Sequence, residues 1–391
     1  MDRSWIALIL FSPFTAWIPA IGAAMAAYRK KMTIWLTPMT IGIVLLFNWA
    51  LLTGIYNHSL REILVSFGIL IYLGWTIFLQ NNMTRTHQVE ALLEKVWRLG
   101  LIAAGLGLAE KFLSFFMDLS VISEIFWSPT YIPTRTAYRI YSTFGNPNVA
   151  GDWFAALFLI GLFWISHSTG EKRRTYITGS LLYLLATLLT GSKGAVLGLE
   201  LGLIAYGLFS SSRLGRISAL VSSAGLLILA LVMPEVNHLT NSRSALWLEA
   251  INLIQFKPVF GWGLLGFFRQ TGEIHAHNLW LSVTVMLGAG GLIVTSIILS
   301  HSLHLAFVLK KAGSHLAPLL TGLLVMMLGH SLFDFTIMTP QGGMLFFSIA
   351  GIMSALALEH EFYYSVDPES VANLKEDLRW QIAGHPTKLI K

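Results

Sequence analysis

The chain contains no cysteine among its 391 residues. Disulfides, thiolate nucleophiles and cysteine metal sites are therefore excluded. Charge is scarce as well. Asp, Glu, Lys and Arg together make up 12% of the residues, about half the ~25% of an ordinary soluble domain. No Walker-type phosphate loop is present, which argues against ATP hydrolysis. No Asp-x-Asp pair occurs, which argues against a metal-dependent nucleotide-sugar transferase.

What the chain has instead is hydrophobicity: 55% of its residues are apolar or aromatic. Apolar runs recur from Trp5 to Leu358, and many approach the roughly 20 residues that cross a hydrocarbon core as helix. In lipid every backbone polar group must be satisfied internally, which selects helices. A membrane barrel would instead show short alternating segments. The expectation is an all-α, polytopic transmembrane bundle of about eleven spans. They fall near 5–27, 35–56, 62–80, 97–117, 147–166, 175–191, 194–210, 217–233, 278–300, 316–335 and 342–358. The first run is too long for a signal-peptide core and is read as a retained span.

Lys and Arg in the loops give the orientation. Alternate loops and the tail hold 17 of the 26, including Arg29–Lys31, Lys172–Arg174, Lys310 and Lys311. The opposite loops hold eight: Arg3, Arg61, Arg135, Arg139, Lys193, Arg243, Lys257 and Arg269. Lys111 lies within a span. The rich side is assigned to the cytoplasm, which puts the N-terminus outside and the C-terminus inside. Residues 1–358 then form one transmembrane domain, with long extracytoplasmic loops at 118–146 and 234–277, and 359–391 a cytoplasmic tail with a short helix around 369–382. The net charge of +6 does not point to nucleic acid, because the basic residues sit mainly in short loops between spans. The second long loop carries a helical pattern, with Trp247, Leu248, Ile251 and Ile254 on one face. Asn241 or Ser242 is placed to cap it and Pro258 to end it, and such a helix would lie along the membrane interface.

Three polar segments stand out on the expected outer side. Arg139-Ile-Tyr-Ser-Thr-Phe-Gly-Asn-Pro-Asn148 leads into a span. Its arginine suits a phosphate, and Asn148 or Asp152 suits a helix cap. Thr190-Gly-Ser-Lys-Gly194 breaks two spans, and Lys193 there is either an anion contact at a helix start or a snorkelling lysine. The third segment runs from Arg243 through Lys257-Pro-Val-Phe-Gly-Trp-Gly263 to His275-Ala-His-Asn278. A histidine at a membrane–water boundary is suited to general-base work, and two solvated loop histidines are the plainer alternative. With no cysteine and no nearby Asp-rich cluster, the pair lacks a full metal-ligand set, so no metal is expected. Within spans an ionisable residue is a functional candidate, with interhelical hydrogen bonding the competing account and the preferred one for Glu200; Glu110 is expected to face the bundle interior, and His330 and Asp334 to share one helix face.

In this order the motifs resemble the O-antigen ligase and polymerase superfamily, which includes bacterial O-oligosaccharyltransferases and teichuronic-acid assembly proteins. The matching pieces are Arg139–Asn148, Thr190–Gly194, Arg243-Ser-Ala-Leu-Trp247 and Pro258–Gly263. His275-Ala-His-Asn-Leu-Trp-Leu281 with Gly288 and Gly291, and Gly329-His-Ser-Leu-Phe-Asp334, complete the set. The match spans about residues 135–355; the first four spans match only in hydrophobicity. The resemblance implies transfer of a glycan from undecaprenyl pyrophosphate to an acceptor hydroxyl, at the outer face of the cytoplasmic membrane and without metal, nucleotide or other cofactor. The product would be cell-surface polysaccharide. His277 would take the acceptor proton, with His275 in reserve. Arg243 and Lys193 would hold the pyrophosphate, with Arg139 a third contact. Lys193 stands where the family carries arginine, and it supplies charge without the bidentate fork. A transporter or flippase for lipid-linked glycans is the competing class.

Overall fold

The computed structural model describes residues 3–119, 138–232, 243–361 and 363–366. Within them the chain is nearly all-α. Helices α1 (Arg3–Phe11) and α2 (Trp17–Arg29) come first, then α3 (Pro38–Tyr56), α4 (Leu60–Ser66), α5 (Gly68–Asn82) and α6 (Thr86–Leu113). Next are α7 (Pro147–His167), α8 (Gly170–Leu189), α9 (Lys193–Phe209) and α10 (Arg213–Val232). After them come α11 (Arg243–Phe256), α12 (Gly266–Thr271), α13 (Leu279–Lys311), α14 (Ala317–His330) and α15 (Pro340–Ala357). The two-residue strands Ile34–Trp35 and Ser365–Val366 pair antiparallel, with Ile34 opposite Val366. The expected tail helix, the caps at Asn241 or Ser242 and most of 118–146 lie outside the described residues.

Every expected apolar block contains a helix, and five helical stretches are long and apolar enough to cross a membrane: Pro38–Tyr56, Leu60–Asn82, Pro147–His167, Leu279–Lys311 and Pro340–Ala357. The first block departs from the expectation. It is not one span but a hairpin, turning at residues 12–16. Trp5 packs on Gly22 and on Phe78, while the Leu10 carbonyl accepts from Thr143 Oγ1 at 2.6 Å. The chain thus doubles back, and the start of α1 lies beside α2 instead of across the bilayer from Arg29. Ser12-Pro13 makes the break, because proline stops a helix from continuing.

α7 and α15 are buried along most of their length. Both are apolar nearly all round, the pattern of a helix enclosed by others. α9 lies against α14 along a seam of small residues. A Cβ on Gly198 would come 2.6 Å from the Met326 carbonyl, and one on Gly202 2.8 Å from that of Gly322. Glycines let the two backbones approach this closely. The seam holds the start of α9 against the end of α14.

α13 is broken at Gly288, whose φ of 63° is left-handed. The freed backbone groups find partners in the segment before α12. Trp262 N–H donates to the Val285 carbonyl, Gly263 N–H to Met286 and Ala289 N–H to Pro258, each at 2.8 Å. Trp49 Nε1–H donates to the Leu287 carbonyl at 2.7 Å. Such repair is what a helix break at membrane depth requires. It explains the glycines at 261, 263 and 288, all left-handed.

Candidate functional site

The site lies at one end of the bundle, where α7, α9, α11 and α13 begin and α14 ends. Its hub is Asp334. Helix α14 stops at His330, so Asp334 falls in the turn that follows and not inside a span as expected. His277 Nδ1 stands 3.0 Å from Asp334 Oδ1, and His275 Nε2 stands 3.6 Å from the same oxygen. Asn148 Nδ2 donates to Oδ2, Arg243 Nη2 lies 4.0 Å from it, and the Phe335 N–H donates to Oδ1 at 2.8 Å. Arg139 joins through Asn148: its Nη2 donates to Asn148 Oδ1 at 2.7 Å and its Nε to the Thr190 carbonyl at 2.6 Å. Burial alone would raise the Asp334 pKa. The hydrogen bond from His277 and the neighbouring His275, His277 and His330 outweigh it and hold the carboxyl well below the usual carboxylate range.

The two histidines are held in different states. His275 Nδ1 accepts the His277 backbone N–H at 3.1 Å, so its proton sits on Nε2, facing Asp334. Burial lowers the His275 pKa to about 4, against the opposing pull of Asp334, and the ring is neutral at pH 7. Its one lone pair is already engaged. His277 is the reverse. A carboxylate only accepts, so Nδ1 carries a proton toward Asp334, and in the neutral ring the lone pair falls on Nε2. The side chain keeps 26% of its exposure.

His277 also has a left-handed backbone, φ 50°. For a residue with a Cβ this costs about 1–3 kcal/mol and persists only where neighbours enforce it. They do so here. Asn278 caps α13 by accepting from Leu281 N–H and donates from Nδ2 to the Leu332 carbonyl, both at 3.0 Å. The Leu279 N–H donates to Ser331 at 2.9 Å. The histidine is thereby clamped against the turn that carries Asp334.

The structure brings together His275, His277, Arg243 and Arg139. Lys193 is the exposed first residue of α9. Its neighbour Gly194 abuts the His330 ring, where a Cβ would come 2.4 Å from Cδ2. Two expectations need correction. The cap of α7 is Asn146, not Asn148 or Asp152, and this frees both to face α14. The face that α11 turns inward carries Trp247, Ala250, Leu253 and Ile254, whereas Leu248 and Ile251 are exposed. A face assigned from apolar residues alone missed Ala250, which is small enough for close approach.

Asp334 and Asn148 were missing from the expected site. The signal for Asp334 was a carboxyl closing a Gly-His-Ser-Leu-Phe-Asp motif; for Asn148 it was a second asparagine after a proline that already had its cap. The chain matches no protein-family model and no curated protein.

His275, His277 and Asp334 also offer three ligand atoms within 4.8 Å of one another, the one such group among the described residues. The sequence alone supplied no third ligand; the fold does. Arg243 beside that carboxylate and Arg139 behind Asn148 oppose a dication there. They favour an anion.

Beside the polar hub lies an apolar cavity of about 260 Å³. Leu279, Phe335, Met286 and Phe347 are in its wall, and Phe335 also meets the His275 ring at 5.9 Å.

Proposed function

We propose that the protein transfers a glycan from a polyprenyl-pyrophosphate donor to an acceptor hydroxyl, in the manner of O-antigen ligases and polymerases. The observation that carries this reading is the His277–Asp334 pair, 3.0 Å apart, with the Arg243 guanidinium on the other oxygen of the same carboxylate. His277 Nε2 takes the acceptor proton, and the acceptor oxygen attacks the anomeric carbon from the face opposite the pyrophosphate. The bond from that carbon to the pyrophosphate oxygen breaks, with inversion. Asp334 stabilises the imidazolium that forms. Arg243, Arg139 and Lys193 meet the charge growing on the leaving group, where fixed cations lower the barrier most. His275 orients His277 and does not itself accept a proton. The apolar cavity accommodates part of a lipid chain.

The reading places eleven apolar helical blocks in the cytoplasmic membrane, the first as a hairpin, with the site on the extracytoplasmic side. Supporting this, Arg29–Lys31, Lys310 and Lys311 lie toward the opposite end, where Leu36 N–H donates to Tyr364 and His315 meets Glu90. Helix α11 then lies at the membrane–water boundary. The flippase reading finds its main support in Glu200, within α9, whose Oε2 is buried without a hydrogen-bond partner among the described residues.

The test is transfer by purified protein in lipid, with lipid-linked glycan and acceptor. His277→Ala is expected to lose about 10²- to 10⁴-fold in turnover, and His275→Ala less. Normal transfer by His277→Ala overturns the base assignment. Vesicle transport of the donor without acceptor would instead favour the flippase.

A further inference from the structure

Beneath the hub is a second polar pair that the reaction above does not use. His330 Nδ1 lies 2.6 Å from Asp152 Oδ1, with side chains 1% and 0% exposed. Thr336 Oγ1 donates to the other oxygen, Oδ2, at 2.5 Å. His330 Nε2 has no hydrogen-bond partner among the described residues and faces Gly194, at the start of α9. Placing an ionisable pair in such a dry site is expensive, and hydrophobic residues of like volume would often serve stability as well.

The spacing suggests why it is there. Asn148 and Asp152 are four apart on α7, and Asp334 follows His330 by four, its N–H donating to the His330 carbonyl at 3.1 Å. Asn148 meets Asp334 and Asp152 meets His330. The two contacts form successive rungs between the same two elements. The lower rung fixes the height and rotation of the turn that carries Asp334, and His330 ties that turn to α9 as well.

The geometry points to Asp152 and His330 as positioning residues for proton transfer: they set the Asp334 carboxylate against His277. This rests on the transferase reading. Misplacing a reacting group by about 1 Å costs on the order of 100-fold in rate, so a lower rung that sets one coordinate of Asp334 matters for turnover more than for donor binding.

The experiment is a double-mutant cycle on purified protein. Asp152→Asn keeps the shape and removes the charge. It is expected to lower turnover about 10- to 100-fold, leave donor affinity within about twofold, and add no further loss in a His277→Ala background. Groups that act as one unit lose their effect once one member is gone. Losses that multiply show a merely structural role and overturn the proposal, as does wild-type turnover in Asp152→Asn. Should Asp152→Asn fail to fold, Thr336→Val keeps the pair itself and removes the hydroxyl that donates to Asp152 and lies 3.5 Å from His330 Nδ1. Its smaller loss must likewise vanish in the His277→Ala background, or the proposal falls. If His277→Ala itself transfers normally, the transferase base assignment fails first, a result distinct from these.

Discussion

The two ends of the bundle use the same residue types for different ends. At one, Arg139, Arg243, His275 and His277 converge on the buried Asp334. At the other, His315 pairs with Glu90, His304 with Glu361 and Arg98 with Glu94, all on side chains between 31% and 67% exposed. Exposed pairs are screened by water and stabilise by ~0–1 kcal/mol each. A buried carboxylate with five donors around it has no such screening, and its neighbours' states depend on it. The residue types in the pairs do not separate the two ends. Convergence and burial do.

The comparison breaks most visibly at the hub. Asp334→Asn removes the charge that stabilises the His277 imidazolium and replaces one acceptor oxygen by a donor, and turnover is expected to fall about 10²- to 10⁴-fold with the fold retained. A transfer assay beside a thermal melt separates the two effects. Gly288→Ala comes next, in stability: its Cβ would sit 2.1 Å from the Val259 carbonyl in a left-handed backbone. A loss of about 3 kcal/mol is expected, read as a lower unfolding midpoint in detergent.

A smaller effect is a pH window. Burial lowers His275 from 6.5 to about 4 in the folded state. Above pH 6.5 both folded and unfolded states hold it neutral, and its contribution is complete. As pH falls from 6.5 toward 4 the unfolded state binds a proton that the folded state refuses, and stability drops. Nitrogen-15 NMR of the histidines should show His275 neutral at pH 5.5; a protonated ring there contradicts the assignment. Smallest is the opposite end. Arg98 and Glu94, 2.6 Å apart and four residues apart on α6, are exposed. Arg98→Ala should change stability by less than about 0.5 kcal/mol, and a larger change would blur the contrast between the ends.

Much of the scaffold was legible in the sequence, because apolar run length alone locates helices that must bury their backbone. The turn at Thr190–Gly194 and the end of α11 before Pro258 were legible from glycine and proline. The hairpin at residues 12–16 was not, since its turn is short and flanked by apolar residues on both sides. The arginines and the histidine pair were legible as polar groups between apolar runs. Asp334 was read as a residue within a span, because Leu332, Phe333 and Phe335 around it kept the run apolar. Its part depends on α7 and α13 meeting one turn, a contact between segments 186 and 57 residues away. No local pattern records that.

The broken helix at Gly288 bears on how the polar arm behaves. The strand of chain between α11 and α12 has no regular structure, yet three of its peptide groups complete the hydrogen bonding of a membrane helix. Lifting the arm would strand carbonyls in a medium that offers no substitute donor, each at several kcal/mol. Irregular backbone here is an anchor. The arginine that begins the arm and the imidazoles that finish it are moored at a shared point in the core, so they keep their distance from one another while substrates come and go.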